Sequence, residues 1–393
     1  MIKSFIKYIF LILLENFYKC QREIIKKDNQ KRILLLRLDE IGDVVLTTPF
    51  LRELRKSYPE ANITLVVKSQ VYNLVELCPY VDEILTFKRI DGQFKFFHNI
   101  YEAYKFAKKY LRGEKFDLAI IPRWDSDYYY ASFIVFFSQA KERIGFSEKV
   151  TEYKSQGNKG YDKLFTKVYD YREPCHEVEK NLYLLKQLGG TVTDDFLELW
   201  NDTEDEKYID SLLKNYEKEY LIALVVSASG NKREWSTEKF SALMTIIVKD
   251  NKNVRFVLLG DKTNTEKIKN KIVNNFLASY VIDCVGKTTL RQTYTILKRC
   301  KFFIGLDTGP MHIAAVTKVN GIVLSCHPQN GDKQHGNAPE RFGPWKSNLK
   351  VIRPLNGLED CKDGCRKNYA HCINQITVEQ VFGEYKQLQE GKW

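Results

Sequence analysis

The chain has 393 residues, of which 44% are hydrophobic, and this is enough for two buried domain cores. Its net charge is +11, but the 61 basic residues are spread along the chain, which argues against a dedicated block for binding RNA or DNA. Nine scattered cysteines exclude a disulfide scaffold, and their odd number favours reduced thiols in a reducing compartment.

The first 30 residues combine apolar side chains at helical spacing with a local excess of positive charge. Residues 1–32 hold eight Lys or Arg against three acids. The unbroken apolar run, residues 8–14, is too short for a membrane span, which needs about 20 residues, or for a signal peptide. The pattern predicts a basic amphipathic helix on an anionic membrane surface. The alternative is a helix that packs on its own domain.

Residues 31–200 read as alternating strands and helices. The all-apolar residues 33–36 predict a central parallel strand within 32–38, and a helix is expected over 44–58. Further strands are predicted at 63–67, 83–87, 116–122 and 141–146, with helices at 94–112, 130–139 and 176–188. The aromatic and basic helix 94–112 could touch a membrane or an anionic substrate, but one wet and one buried face is favoured. The polar residues 151–160 predict a mobile loop.

Two polar clusters follow strands of this first array. Gly42 and Asp43 come after the first strand, and Arg123, Asp125 and Asp127 follow the fourth. Open α/β sheets bind ligands at the carboxyl ends of their strands, so both clusters are candidate ligand sites. Asp43 is placed where a base could take a proton from a hydroxyl. It could equally be an N-cap beside a turn glycine.

A second array of strands and helices follows an acidic stretch. Residues 201–219 predict a helix that links two domains, and residues 220–393 form the second domain. Strands are predicted at 221–227, 255–259, 281–284, 302–304 and 321–325, and a helix at 237–249. Two consecutive arrays indicate an α/β fold with two doubly wound domains facing a cleft.

Residues 302–315, FFIGLDTGPMHIAA, predict a strand, a tight turn and a helix that begins near Pro310. Free backbone N–H groups and the positive end of the helix dipole favour a pyrophosphate there. The turn consists of Asp307, Thr308 and Gly309, and His312 lies in the first turn of the helix. The turn could therefore bind a nucleotide, although Asp307 and Thr308 could simply cap the helix.

Three further groups could serve a nucleotide site. Lys232 and Arg233 follow the first strand of the second array and could neutralise a diphosphate, or be solvated surface charges. Gly286, Lys287 and Thr288 resemble the end of a P-loop, but Val281 stands where its first glycine is required, which excludes a P-loop ATPase. This loop can still lie beside a nucleotide, with Gly260 and Asp261 under the base and ribose.

Three cysteines near the C-terminus, Cys361, Cys365 and Cys372, accompany His371. Structural zinc sites have paired CxxC or HxxxH spacing, which these residues lack. The spacing therefore favours structural thiols over a metal site.

Two long segments together resemble glycosyltransferase family 9, the lipopolysaccharide heptosyltransferases. They are RILLLRLDEIGDVVLTTPFLRELRKSYPEANITLVV at 32–67 and VGKTTLRQTYTILKRCKFFIGLDTGPMHIAAV at 285–316. Shorter matches are KERIGF at 141–146, HEVEKNLYLLKQLGG at 176–190, SASGNKREWSTEKF at 227–240, LLGD at 258–261 and FGPW at 342–345. The similarity covers residues 32–385, and the segment at 326–342 departs from the short turn of many members.

The resemblance implies a GT-B fold with an acceptor-binding N-terminal domain and a donor-binding C-terminal domain, both Rossmann-like. It implies an inverting, metal-independent transfer of a sugar, usually a heptose, from an ADP-sugar to a lipid-linked saccharide such as the lipopolysaccharide core, with no cofactor. The family's general base falls on Asp43, and its donor-binding DTG–H residues fall on Asp307, Thr308, Gly309 and His312. From their place in the chain, Gly42, Arg123, Asp125 and Asp127 are expected to contact the acceptor, and Lys232, Arg233, Gly260, Asp261, Gly286 and Thr288 the donor.

Lys232 and Arg233 leave one detail open. The family's phosphate-binding lysine stands two residues before the loop tryptophan, here Trp235, and that position is Arg233. We expect a cytoplasmic enzyme, peripheral on the inner face of the cytoplasmic membrane and attached through residues 1–32, with no nucleic-acid partner. The rival interpretations are a non-catalytic nucleotide-sugar-binding protein at the membrane and a transferase that uses a different nucleotide sugar.

Overall fold

A computed structural model describes residues 30–90, 95–358 and 369–391. The chain divides into two compact units, one of residues 1–173 and 177–195 and the other of 174–176 and 196–393. The predicted amphipathic helix of residues 1–30 lies outside the described residues, except for Gln30, and so do Cys361 and Cys365. None of the described helices combines the length and the apolar character that crossing a bilayer requires.

The first unit is built on six parallel strands in the order β3-β2-β1-β4-β5-β6. The strands are β1 (Arg32–Arg37), β2 (Asn62–Val67), β3 (Glu83–Thr86), β4 (Leu118–Ile121), β5 (Glu142–Phe146) and β6 (Lys167–Tyr169). The helices are α1 (Ile41–Val45), α2 (Thr48–Ser57), α3 (Tyr72–Val75), α4 (Lys95–Phe106), α5 (Ala131–Ser138), α6 (Glu152–Gly157) and α7 (Glu177–Gln187). This strand order is that of a doubly wound Rossmann sheet, as predicted.

The second unit repeats that arrangement. Its strands, also all parallel, are β7 (Tyr220–Val225), β8 (Val254–Leu259), β9 (Val281–Asp283), β10 (Phe302–Leu306), β11 (Asn320–Leu324) and β12 (Leu349–Ile352), in the order β12-β11-β10-β7-β8-β9. Its helices are α8 (Thr203–Leu213), α9 (Thr237–Asp250), α10 (Thr265–Ile272), α11 (Leu290–Arg299), α12 (Gly309–Thr317), α13 (Pro339–Phe342) and α14 (Val378–Gln389). Read from β9, the order is again that of a Rossmann sheet.

Each unit has its own hydrophobic core. In the first, strand residues such as Leu34 and Leu36 pack with Ile100 of α4 and Phe133 of α5. In the second, side chains of the sheet pack with Phe240 and Leu243 of α9 and with Val381 and Tyr385 of α14. Parallel strands covered by helices must be apolar on both faces, which is why β1 and β10 have almost continuous apolar sequences.

Several predicted elements differ from the observed ones. The helix expected at 44–58 is two helices, α1 and α2, with Pro49 in the first turn of α2. The stretch 151–160, expected to be a loop, contains α6, whose N-cap is Thr151. The helix expected to link the domains, α8, belongs to the second unit, where Arg299 of α11 pairs with its Glu206 and Asp210. Strands β6 and β12 are not among the predicted elements; each lies at an edge of its sheet.

Candidate active site

In each Rossmann sheet, the strand order reverses between two neighbouring strands, and ligands bind at the carboxyl ends of these two strands. In the first unit they are β1 and β4, and in the second they are β7 and β10. Asp43 follows β1 and Arg123 follows β4. Arg233 follows β7 and Asp307 follows β10. These four candidate site residues therefore lie where the strand order of their sheet reverses.

Asp43 lies in the first turn of α1, immediately after β1 and its short turn. Its Oδ2 accepts the backbone N–H of Glu40 at 3.2 Å, and its backbone carbonyl accepts the hydroxyl of Thr47 at 2.7 Å. Gly42 beside it is buried, and its carbonyl accepts the N–H of Leu46. The predicted alternative, a capping role for Asp43, holds in part: the N-cap itself is Glu40, and Asp43, three residues further on, completes a capping box by accepting the Glu40 N–H.

A buried arginine, a partly exposed arginine and a second carboxylate surround Asp43. Arg37 Nη2 lies 3.3 Å from Asp43 Oδ1, and Arg37 Nε lies 3.3 Å from Oδ2 of Asp39. Asp39 also forms an ion pair with Arg123, the residue that follows β4. Arg37 and Asp39 are almost fully buried. Sequence reasoning did not identify either residue, although an arginine at the end of an otherwise apolar strand was a usable signal.

The pKa of Asp43 is raised to about 6. Burial of the carboxylate is the main cause, and the negative charges of Asp39 and Glu177 add to it, while Arg37 and Arg123 act in the opposite direction. Such a carboxylate is ionised at neutral pH but is a better proton acceptor than a free aspartate. This is the property that a general base requires.

The remaining predicted acceptor residues divide into two groups. Arg123 belongs to the Asp43 cluster, and its pKa is raised because the attraction of Asp39 and Asp43 outweighs the effect of burial. Asp127 instead holds the start of α5, since its carboxylate accepts the backbone N–H groups of Tyr129, Ala131 and Ser132. Asp125 accepts the N–H of Ser126 at 2.7 Å.

A small cavity adjoins these residues and brings in a lysine that the sequence did not suggest. Arg123, Asp125, Asp127 and Lys154 all line it. Lys154 is buried, and its Nζ donates to the carbonyl oxygens of Trp124 at 2.8 Å and Phe146 at 3.0 Å. Burial lowers the pKa of this amine to about 8. It ties α6 to the ends of β4 and β5.

The second cluster lies on the turn between β10 and α12. Thr308 is the N-cap of α12, Gly309 is its first residue, and Pro310 lies in its first turn, as predicted. The Asp307 carboxylate is close to the hydroxyl of Ser325, which follows β11, at 3.5 Å. Burial raises the pKa of Asp307 to about 6, against the opposing charge of Arg233. The start of the helix therefore lies beside a carboxyl group whose pKa is raised.

His312 is buried in α12, and its Nδ1 has no hydrogen-bond partner among the described residues. Burial, together with the nearby His176, lowers the pKa of His312 to about 3, so its imidazole is neutral at physiological pH. His176 stacks on Trp345 with ring centroids 4.5 Å apart, and its Nε2 lies 3.0 Å from the carbonyl oxygen of Gly343. An unpaired nitrogen on a buried neutral ring is a prepared hydrogen-bonding position.

Of the two predicted phosphate-binding cations, the structure brings Arg233 to this turn. Its Nη1 donates to the backbone carbonyl of Asp307 at 3.3 Å, and its Nη2 donates to that of Ser229 at 3.1 Å. Lys232 is exposed on the same short 3-10 turn, Asn231–Arg233.

The two glycine loops predicted to contact the nucleotide are joined by a backbone hydrogen bond from Gly286 N to Gly260 O at 2.9 Å. Both glycines have positive φ, 150° at Gly260 and 64° at Gly286. Asp261 Oδ1 accepts the N–H groups of Thr263 and Asn264, both at 2.9 Å. Thr288 shares a 3.0 Å hydrogen bond with Thr293. The side chains of Asp261 and Thr288 therefore shape the loops that follow β8 and β9.

Known proteins resemble this chain over most of its length. Residues 104–370 match the family model "Glycosyltransferase family 9 (heptosyltransferase)". The lipopolysaccharide core heptosyltransferase OpsX of Haemophilus influenzae is 23% identical over 380 residues, which cover 91% of this chain and 97% of the relative. Lipooligosaccharide heptosyltransferase 2 of Haemophilus ducreyi is also 23% identical, over 91% of this chain and 99% of its own.

Solved structures share the fold. A glycosyl transferase family 9 protein from Veillonella parvula has a TM-score of 0.75 at 22% identity, covering 94% of this chain and all of its own. The ADP-heptose heptosyltransferase II of Escherichia coli has a TM-score of 0.69 at 20% identity, covering 92% of this chain and 99% of its own. The predicted GT-B class, with two Rossmann-like domains, is confirmed. Since the family match spans well over half of the sequence, the chain belongs to glycosyltransferase family 9, the heptosyltransferases, and is a glycosyltransferase.

Proposed function

We propose that this enzyme transfers a heptose from ADP-heptose to the saccharide of a lipid-linked acceptor such as the lipopolysaccharide core. The observation that carries the proposal is the Asp43 carboxylate, which is partly exposed beside the buried Arg37 and has a raised pKa, at the reversal point of the first sheet. The names of the relatives support the substrates, because they are heptosyltransferases of lipopolysaccharide and lipooligosaccharide. An Escherichia coli heptosyltransferase with the same fold was solved with ADP.

In the proposed reaction, Asp43 removes the proton of an acceptor hydroxyl as its oxygen attacks the anomeric carbon of the donor. A bond forms between these two atoms, while the bond from the anomeric carbon to the phosphate oxygen breaks and its electron pair leaves with ADP. Attack on the face opposite the leaving group inverts the configuration. Arg37 keeps the carboxylate in one orientation through its 3.3 Å contact, and Asp39 partly neutralises the arginine so that the base stays reactive.

The second unit is proposed to bind the donor. The N-terminus of α12 and the guanidinium of Arg233 would stabilise the negative charge that develops on the leaving diphosphate. His312 would donate or accept a hydrogen bond through its unpaired Nδ1. The backbone around Gly260 and Gly286 would lie against the nucleoside. Gly260 itself has no room for a side chain, because a Cβ there would be only 2.1 Å from Thr265 Oγ1. In this proposal, protein groups take up the acceptor proton and stabilise the negative charge of the leaving diphosphate.

We also propose that the enzyme works at the inner face of the cytoplasmic membrane, where a lipid-linked acceptor would be presented. The sequence supports this through the basic and apolar residues 1–32.

The function is tested by a thermal-shift panel of ADP-, UDP-, GDP- and CDP-sugars, followed by transfer assays with the strongest binder and lipid-linked saccharides. We expect ADP-heptose to stabilise the fold most and to yield a product of inverted anomeric configuration. Stabilisation by ADP-heptose without any product would support the rival interpretation of a non-catalytic binding protein. Stabilisation by another nucleotide sugar alone would exclude the proposed donor.

A further inference from the structure

Five large side chains are exposed on elements that begin at the carboxyl edge of the first sheet, the edge where Asp43 lies. We call them the aromatic rim: Ile90 (42% exposed), Phe97 (50%), Tyr101 (57%), Tyr128 (44%) and Tyr153 (63%). Single exposed apolar side chains are ordinary on protein surfaces, but a contiguous group of them marks an interaction site.

The first part of the rim lies around the start of α4. The buried side chain of Asn99 holds Ile90, accepting its N–H at 2.8 Å and donating to its carbonyl at 2.9 Å. Phe97 lies against Phe96, with ring centroids 5.2 Å apart. Tyr101 is one helical turn beyond Phe97, so both occupy the same face of α4. The buried face of this helix is formed by other residues, Ile100, Ala103 and Phe106.

The second part of the rim is linked to the first by contacts in the loop after β4. Phe96 lies 6.1 Å from the ring of Tyr130, and Arg89 donates to the backbone carbonyl of Tyr128 at 3.3 Å. Tyr128 in turn lies 6.4 Å from Tyr153 of α6. These contacts join the loop after β3, the start of α4, the loop after β4 and α6 on one side of the first unit.

Positive charges accompany the rim. Lys88 and Arg89 directly precede Ile90, and Lys159 follows α6. Lys105 Nζ lies 5.5 Å from the ring centroid of Tyr101. Acids share these elements as well: Glu102, which pairs with Lys105 at 3.1 Å, Glu152 beside Tyr153, and Asp125 and Asp127 just before Tyr128. Exposed tyrosine rings with lysine side chains beside them are typical of protein surfaces that lie among lipid headgroups.

The rim is connected to the proposed catalytic loop. The hydroxyl of Tyr129 donates to Glu40 Oε1 at 2.5 Å, and Lys68 pairs with the same carboxylate at 2.6 Å. Glu40 is the N-cap of α1, the helix that carries Asp43. A surface that rests on the rim would therefore lie beside the base.

We propose that the aromatic rim docks on an anionic lipid bilayer, which brings the saccharide of a membrane-embedded acceptor to Asp43. This inference rests on the proposed function for the identity of the acceptor, but the docking itself does not depend on it. It assigns a membrane contact to the body of the first unit, in addition to the contact predicted for residues 1–32.

The test uses the full chain with vesicles of phosphatidylcholine alone or mixed with phosphatidylglycerol. Hydrogen–deuterium exchange is measured with and without vesicles, because it reports on each segment separately and so distinguishes the rim from the N-terminus. We expect the anionic vesicles to slow exchange in the peptides that span α4 and α6, and to leave the peptide that spans α14 unchanged. Vesicle binding without slower exchange in α4 and α6 would overturn the proposal, as would equal protection by neutral vesicles.

A variant tests the same surface through affinity. Replacing Phe97, Tyr101 and Tyr153 by serine should weaken binding to anionic vesicles about tenfold or more, since three apolar anchors are lost. The matched control replaces Phe276 and Tyr369, which are 43% and 61% exposed in the second unit, by serine. Equal affinity of the rim variant and the control would refute the inference.

Two activity assays separate this proposal from the proposed function. With the acceptor saccharide released from its lipid, the rim variant should transfer sugar at the rate of the unmodified enzyme. With the acceptor embedded in vesicles, its rate should fall in proportion to its lost binding. Absence of transfer in both proteins would contradict the proposed function alone, whereas equal rates of both proteins on vesicles would contradict membrane docking alone.

Discussion

The guanidinium of Arg37 contacts Asp43 twice: Nη2 lies 3.3 Å from Oδ1 of the side chain, and Nε lies 3.3 Å from the backbone carbonyl oxygen. An arginine this close normally lowers the pKa of a carboxylate. Here burial outweighs it, and Asp39 pairs with the same guanidinium and draws away part of its effect. The result is a carboxylate held in one orientation without losing its basicity.

Replacing Asp43 by Asn should remove the base while keeping nearly the same shape. We expect kcat to fall by about 10²–10⁴-fold, the usual contribution of general base catalysis. Binding of ADP, which is proposed to use the second unit, should stay within about twofold of its original Kd, since Asp43 belongs to the first unit. Steady-state kinetics and calorimetric titration with ADP provide the two measurements. Full turnover in this variant would exclude Asp43 as the base.

The same residue predicts a pH dependence. A general base must be unprotonated, so with the pKa of Asp43 near 6 the value of kcat/KM should fall about tenfold per pH unit below pH 6. Asp307 in the second unit also has a pKa raised to about 6, so the profile alone does not identify the group.

Replacing Asp39 by Asn identifies the group whose titration causes the acidic limb of the profile. The negative charge of Asp39 raises the pKa of Asp43, so its removal should move the acidic limb of the profile to lower pH. The matched control is Asp194→Asn, which removes a carboxylate paired with Arg52 at 3.2 Å elsewhere in the first unit and should leave the limb in place. An unchanged limb in Asp39→Asn would assign the titration to a group other than Asp43.

The elements that carry strong local signals were predictable. The apolar β1 and β10 had to be buried strands, and Pro310 marked the first turn of α12. The Asp39–Arg123 ion pair was not predictable, because its partners are 84 residues apart and meet only when β1 and β4 pair. Sequence order alone does not reveal which strands are neighbours.

Helix α6 shows why local composition wrongly predicted a loop at residues 151–160. Residues 151–160 are polar and contain two glycines, which is typical of a loop. The helix forms because Thr151 caps it and because Lys154 buries its amine against two carbonyl groups of distant segments. For α4, the expectation of one buried and one wet face holds, but the wet face carries Phe97 and Tyr101. Hydrophobic periodicity alone does not show which aromatic side chains of such a helix stay exposed.

Replacing Asp127 tests whether this residue stabilises the start of α5 or binds the acceptor. Because its carboxylate accepts three backbone N–H groups at the start of α5, Asp127→Ala should lower the free energy of unfolding by about 1–2 kcal/mol. Asp127→Asn retains one acceptor oxygen and should recover part of this loss. Urea denaturation gives the free energies. An unfolding free energy unaffected by Asp127→Ala, together with a raised KM for the acceptor, would instead support a direct role in binding.

Gly260 should be intolerant of a side chain. Its φ of 150° is unfavourable for other residues, and a Cβ would lie 2.1 Å from Thr265 Oγ1, whose hydroxyl is already 2.6 Å from that of Ser227. We expect Gly260→Ala to lower the free energy of unfolding by about 2–4 kcal/mol, through strain and a forced shift of α10. In contrast, Gly383→Ala in α14 meets no atom within 4 Å and should stabilise the protein by up to about 1 kcal/mol. A similar effect of both substitutions on thermal unfolding would contradict this account.

The last prediction decides between Lys232 and Arg233 as the cation at the diphosphate. Arg233 is held by the carbonyl groups of Asp307 and Ser229, so its guanidinium is already oriented on the turn before a ligand binds, whereas Lys232 is exposed. We therefore expect Arg233→Ala to weaken ADP binding about tenfold or more, and Lys232→Ala to weaken it less than about threefold. Arg233→Lys should recover only part of the affinity, because a lysine cannot make the two-pronged contact. Calorimetric titration with ADP and with adenosine separates the phosphate contribution from that of the nucleoside. A larger loss in Lys232→Ala would assign the diphosphate to the exposed lysine, and equal losses for ADP and adenosine would place Arg233 away from the phosphates.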